Sequence, residues 1–270
     1  MRPVRTLIIG VLALTSAIAI ALPSLNAAAD AASSVHYVAL GDSYSSGTGT
    51  GTESGSCEQS SQAYGPLWAA ANSPASFTFG ACGGATTSSV ISGQLSDLNS
   101  STTLVSLTIG GNDAGFASIM ETCVLQSDSA CASAVSKGEA YAQNTLPGNL
   151  KTMFADIHAD APNARVILLS YPHFYDMSVA VCIGLDKTKH TDLNNGVDVL
   201  DSVLQTAAAA DGATFADARG QFSGHELCSG DNWLHSVDLA NISESYHPTA
   251  TGHKDGYLPV FSSAASSVGQ

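Results

Sequence analysis

Basic side chains are scarce in this chain of 270 residues: nine lysines and arginines stand against 23 aspartates and glutamates, a formal net charge of −14. So few cations leave little with which to neutralise a phosphate backbone, which excludes nucleic acid as a partner. The same field repels strongly anionic membranes within a Debye length, about 10 Å at 0.1 M salt. Metal-binding spacings are missing too. No Cys-x-x-Cys and no His-Glu-x-x-His occurs, so no metal is expected, and no other cofactor is implied. No internal repeat, low-complexity linker or abrupt change in composition divides the chain.

Long apolar runs are absent beyond the leading segment. There, Arg2 and Arg5 precede an apolar stretch from Leu7 to Leu22, and small residues follow from Asn26 to Ala31. That order predicts a signal peptide over 1–29, cleaved between Ala27 and Ala31, with 30–270 as a single domain. Thr15, Ser16 and Pro23, and the lack of a basic stop-transfer flank, argue against a membrane anchor. The expected product is extracellular, without stable membrane insertion, and monomeric by default. All six cysteines lie beyond that segment. An even count in a chain bound for an oxidising compartment predicts three disulfides, and the sequence alone leaves the pairing open. Sequential pairing is the expectation: Cys57 with Cys82, Cys123 with Cys131, and Cys182 with Cys228.

Short apolar runs, Tyr37 to Leu40, Leu104 to Ile109, Val166 to Leu169 and a weaker Ala213 to Ala216, read as buried strands. Helical patterns cover Leu146 to Ile157 and Thr191 to Ala210, and a final helix is expected over Thr249 to Ala265. Strands alternating with helices predict an α/β fold on a parallel sheet covered on both faces. Ser45 to Asn99 and Glu121 to Lys137, rich in small polar residues, read as extended surface loops.

Polar residues cluster just after these strands, where open α/β sheets place their sites. Ser43 closes the first strand in Gly41-Asp42-Ser43. A serine hydroxyl attacks a carbonyl only with a base to take its proton and donors to hold the oxyanion. Asn112, in Gly110-Gly111-Asn112-Asp113, can supply such a donor, although asparagine also caps helices and tolerates left-handed turns. His247 precedes Pro248, which holds it in extended backbone. Asp42 reads as a turn stabiliser, and His225 and His253 as structural.

Together these blocks resemble the SGNH, or GDSL, hydrolase superfamily: Gly41 to Gly47, Gly84 within Cys82-Gly83-Gly84-Ala85-Thr86, Gly110 to Asp113, and Glu244-Ser245-Tyr246-His247-Pro248, in family order. Within it the chain is most similar to secreted Streptomyces-type lipases and esterases. The resemblance implies a flavodoxin-like three-layer αβα sandwich and a carboxylic-ester hydrolase acting on small-molecule or lipid esters. It makes Ser43 the nucleophile, His247 the base, and the Ser43 N–H, the Gly84 N–H and the Asn112 amide the oxyanion donors. Gly84 is preferred to Gly83 only because it precedes Ala85-Thr86. Tyr44 stands where many members have leucine. The acid position, three residues before the histidine, carries Glu244 instead of aspartate; Glu244 is expected to orient His247, with the Ser245 carbonyl as the alternative. Phe116, Ile119, Met120, Leu125 and Trp233 are candidates for an acyl groove. A phospholipase A, a carbohydrate O-acetyl esterase and a non-catalytic surface-binding protein are the competing functions on this framework.

Overall fold

Five short strands pair into one parallel sheet: β1 (His36–Ala39), β2 (Ser76–Phe79), β3 (Leu104–Leu107), β4 (Arg165–Leu169) and β5 (Thr214–Ala216). The computed structural model describes residues 34–179, 182, 184–238 and 240–266; the segment read as a signal peptide lies outside them. The strand order is β2-β1-β3-β4-β5, with Tyr37 opposite Leu104 and Val105 opposite Val166. That is the flavodoxin-like order, and it switches direction between β1 and β3, where such sheets bind ligands. β3 is buried along its whole length and β4 after Arg165, as a sheet covered on both faces requires.

The longest helix is α7 (Lys187–Asp211), of 25 residues. Asp186 caps its start by accepting from the Thr188 and Lys189 N–H groups, and Gly212 ends it in the left-handed region at φ 82°. Its buried stripe, Leu193, Val197, Leu200, Leu204 and Ala208, follows helical spacing. α6 (Leu146–Asp160) lies beside it and buries Leu150, Met153, Phe154 and Ile157. The opposite layer holds α2 (Tyr64–Asn72) and the terminal helix α9 (Leu258–Ser266). There Trp68 and Phe261 pack on Tyr37 with ring centroids 5.3 and 5.4 Å away. Each such side chain contributes roughly 1.5–3 kcal/mol on burial.

Two expectations need correction. The stretch Ser45 to Asn99 is not loop throughout: it holds α1 (Ser43–Ser46) across its start, then α2, β2 and the turn α3 (Thr87–Ser89) leading into a π-helical turn, Val90–Gln94. Ser76-Phe77-Thr78-Phe79 alternates on an edge strand and has no apolar run to reveal it. Glu121 to Lys137 is likewise helical, the end of α4 (Phe116–Leu125) and the start of α5 (Asp128–Asn144). α5 buries Cys131, Val135, Gly138 and Ala142, a stripe of mostly small residues that large-residue periodicity does not detect. The expected final helix is present, running from Ala250 to Ser266 with a π-helical stretch over Gly252–Tyr257 before α9 begins. The remaining short helix is α8 (Arg219–Phe222).

The disulfides are sequential, Cys57–Cys82, Cys123–Cys131 and Cys182–Cys228. Among the described residues no helix is long and apolar enough to cross a membrane.

Candidate active site

The turn after β1 is shaped by Gly41. Its φ is +117°, and a Cβ there would lie 2.5 Å from the Thr108 carbonyl oxygen, so a side chain is excluded. Gln94 clamps that residue's peptide groups: its Oε1 accepts from the Gly41 N–H at 2.8 Å and its Nε2 donates to the Gly41 oxygen at 2.9 Å. Asp42 extends the contact with β3 by donating its N–H to Thr108 O at 3.0 Å. Its side chain caps α1, accepting from the Tyr44 N–H at 3.0 Å. The carboxyl is buried and also accepts from Thr108 Oγ1 at 2.6 Å and from the Tyr171 hydroxyl. Burial pushes it up to about 6 against those donors. Ser43 is thereby the first residue of α1, at the carboxyl edge of the sheet and 8% exposed.

His247 arrives from the far end of the chain on a short antiparallel ladder. Tyr246 N–H donates to His235 O and His235 N–H to His247 O, both at 2.9 Å, and Thr249 N–H to Trp233 O at 2.8 Å. The His247 Nε2 lies 2.7 Å from Ser43 Oγ. The imidazole is buried against Tyr44 and Phe116, at 5.2 and 6.2 Å between ring centroids. Burial pushes its pKa down to about 4, with the Ser245 and Ser243 main-chain groups acting in the opposite direction. At neutral pH it is therefore an unprotonated base.

The expectation for Glu244 is not met. Its carboxylate accepts from Asn241 Nδ2, and its contact with His247 is through the main chain, His247 N–H donating to Glu244 O at 3.0 Å. The physical reason is the 3₁₀ turn Ile242–Glu244, which leaves the side chain half-exposed beside Asn241. The Nδ1 of His247 is buried with no hydrogen-bond partner among the described residues, and the main-chain groups of Ser245 and Ser243 are the neighbours that favour its protonated form.

The oxyanion candidates converge. The Cys82 N–H donates to Gly41 O at 3.0 Å, bringing the Cys82-Gly83-Gly84 turn against the nucleophile's turn. Gly83 and Gly84 are now distinguishable: the Gly83 N–H donates to Cys57 O at 2.9 Å, while the Gly84 N–H has no acceptor among the described residues, and neither has that of Ser43. Asn112 Nδ2 donates to Ala85 O at 3.0 Å, which aims the amide at this turn and leaves its second hydrogen available. Asp113 accepts from the Thr87 N–H at 3.0 Å and Oγ1 at 2.6 Å, tying the same two segments together.

An apolar cavity opens at Ser43 and Asn112 and runs between α4, α5 and α7, past Phe116, Ile119, Met120, Val135, Ala142 and Leu200. Two groove candidates do not line it. Leu125 is 69% exposed at the end of α4, and Trp233 is buried with its ring stacked on His225 at 3.6 Å. His253 is buried beside the Tyr64 and Tyr257 rings and pushed down to about 3 by that burial, a packing position. Gln94, Thr108 and Tyr171 support the site and were not singled out from the sequence; Tyr171, just beyond β4 at the sheet's carboxyl edge, had a positional signal.

Comparison with known proteins agrees with this architecture. Residues 39–254 match the model of the GDSL-like Lipase/Acylhydrolase family. Lipase 1 of Streptomyces coelicolor is 55% identical over 241 residues, 88% of this chain and 90% of that protein. The crystal structure of phospholipase A1 from Streptomyces albidoflavus NA297 superposes with a TM-score of 0.83 at 52% identity, covering 84% of this chain and 98% of that one. The extracellular lipase of Streptomyces rimosus gives a TM-score of 0.83 at 48% identity, over 85% and 99%.

Proposed function

The chain belongs to the GDSL-like lipase/acylhydrolase family and is a carboxylic-ester hydrolase, and from that premise we propose that it cleaves acyl esters of lipids through a covalent acyl-enzyme on Ser43. The observation that carries this reading is the 2.7 Å contact between His247 Nε2 and Ser43 Oγ in a largely buried setting. His247 takes the Ser43 proton as Oγ attacks the acyl carbon. The Ser43 N–H, the Gly84 N–H and the Asn112 amide hold the oxyanion. Collapse expels the alcohol with the proton from His247, and a water activated by the same imidazole releases the acid. Glu244 has no part in this scheme, its carboxylate being engaged with Asn241; the Ser245 and Ser243 main-chain groups beside the ring favour its protonated form, and the machinery is a Ser-His dyad.

The apolar cavity from Ser43 to Leu200 is the acyl site, since its lining offers methylene contacts and little to bind a polar sugar. That favours lipid esters over carbohydrate O-acetyl esters. A phospholipid is the second reading, supported by likeness to the phospholipase A1 of S. albidoflavus. The three disulfides and the likeness to the extracellular lipase of S. rimosus support a secreted product of residues 30–270, with 1–29 removed as a signal peptide.

A fluorophosphonate probe and a p-nitrophenyl ester series set beside acetylated xylan test the proposal. Wild type should be labelled and Ser43→Ala should not, and medium or long acyl chains should be preferred. No labelling of the folded wild type would overturn the hydrolase mechanism; preferential release of acetate from xylan would overturn the lipid assignment alone.

A further inference from the structure

The turn carrying Ser43 and the turn carrying Asn112 come from different strands, and one hydroxyl touches both. Tyr171 Oη accepts a hydrogen bond from the Gly111 N–H at 3.1 Å and donates its single hydrogen to the Asp42 carboxylate. Gly111 immediately precedes the asparagine and Asp42 immediately precedes the nucleophile. We propose that Tyr171 is a positioning residue that sets the spacing between Ser43 and the Asn112 amide.

The surroundings leave this phenol little freedom. Tyr171 is buried, its N–H donates to the Asp201 carboxylate on α7 at 3.1 Å, and its ring packs edge-on against Tyr44 at 5.1 Å. Gly111 is small enough for the contact: a Cβ there would stand 3.3 Å from both Cζ and Oη of Tyr171. Asp42 uses its other oxygen for the Tyr44 N–H and Thr108 Oγ1. A shift at Tyr171 therefore reaches the start of α1 and the Asn112 turn together. Oxyanion donors act through placement fixed before charge develops, so a displacement of a fraction of an ångström falls on the transition state more than on substrate binding.

The inference rests on Asn112 being an oxyanion donor, and its test separates the two claims. Tyr171→Phe keeps the ring and removes only the hydroxyl; it should lower kcat about 10- to 100-fold, the scale on which misplacing the reacting groups acts, with KM within about twofold. In an Asn112→Ala background the same change should cost less than about threefold, because the group being positioned is gone. An unchanged kcat in Tyr171→Phe overturns the proposal. So does the full cost of Tyr171→Phe on top of a damaging Asn112→Ala, the result expected of a merely structural residue. An Asn112→Ala enzyme with parental kcat overturns the oxyanion assignment itself, and this inference with it. Should Tyr171→Phe fail to fold, Asp42→Asn weakens the same contact without changing its size. It should show a smaller kcat loss with the same non-additivity, and additive losses would reject the proposal.

Discussion

The phenol of Tyr44 donates to the main-chain oxygen of Tyr246 at 2.5 Å, joining the residue after Ser43 to the residue before His247 across 202 positions of chain. Tyr246 receives this bond in a left-handed conformation, φ 66°, uncommon for a side chain of its size. A leucine at position 44 could not form the link. Tyr44→Phe should therefore loosen the placement of the pair and lower kcat about tenfold, with a small change in KM. Steady-state kinetics on a soluble ester reads this directly, and a change confined to KM would place Tyr44 in substrate binding instead.

Ser43→Ala and His247→Ala should each reduce kcat by roughly three or more orders of magnitude while leaving the circular dichroism spectrum unchanged. The double variant should be no worse than the poorer single one, because the pair acts as a unit. Multiplying losses would show that the 2.7 Å contact is not a functional coupling.

The pH profile distinguishes a dyad from a triad. With the His247 imidazole pushed down to about 4 by burial, acidification protonates the base late. kcat/KM should hold through the ordinary histidine range and fall only as pH approaches about 4. Glu244→Ala and Glu244→Gln should keep near-parental rates and leave that limb in place, since the Glu244 carboxylate is engaged with Asn241. A steep loss in Glu244→Ala together with a displaced limb would return the glutamate to the catalytic set.

Ala142 lines the apolar cavity beside Val135 and Leu200. Ala142→Leu should fill part of that space and lower kcat/KM for lauroyl relative to butyryl esters by about tenfold or more. Equal loss across the series would indicate general overpacking, and no change would move the acyl chain elsewhere.

The Cys57–Cys82 bridge holds the segment that leads into Gly84. Replacing both cysteines with alanine should reduce stability by about 2–4 kcal/mol. kcat should fall at temperatures where the protein is still folded, because the Gly83 N–H bond to Cys57 O loses its tether. Denaturant titration and kinetics on the same sample check both parts.

Much of this molecule was readable one segment at a time. Tyr37 to Leu40, Leu104 to Ile109 and Val166 to Leu169 announced buried parallel strands because a sheet covered on both faces admits little else. The blocks at Ser43, Asn112 and His247 marked where polar groups leave those strands. Burial and backbone sterics act within a few residues, so they write themselves into local composition. β2 and α5 escaped because an edge strand and a small-residue helix bury too little apolar surface to leave a periodic signal.

What the tertiary structure decided were the destinations of side chains and N–H groups. Glu244 and the Ser245 main chain both stood within three residues of His247 in sequence, and the 3₁₀ turn Ile242–Glu244 turned the carboxylate to Asn241. Gly83 and Gly84 were not separable by local sequence until the Cys57 carbonyl took the N–H of one and left that of the other without an acceptor among the described residues. Tyr171 gained its place from Gly111 and Asp42, 60 and 129 positions away. A hydrogen bond needs its partners within about 3 Å and in line, a condition between distant parts of the chain that no local pattern of residues encodes and only the folded sheet satisfies.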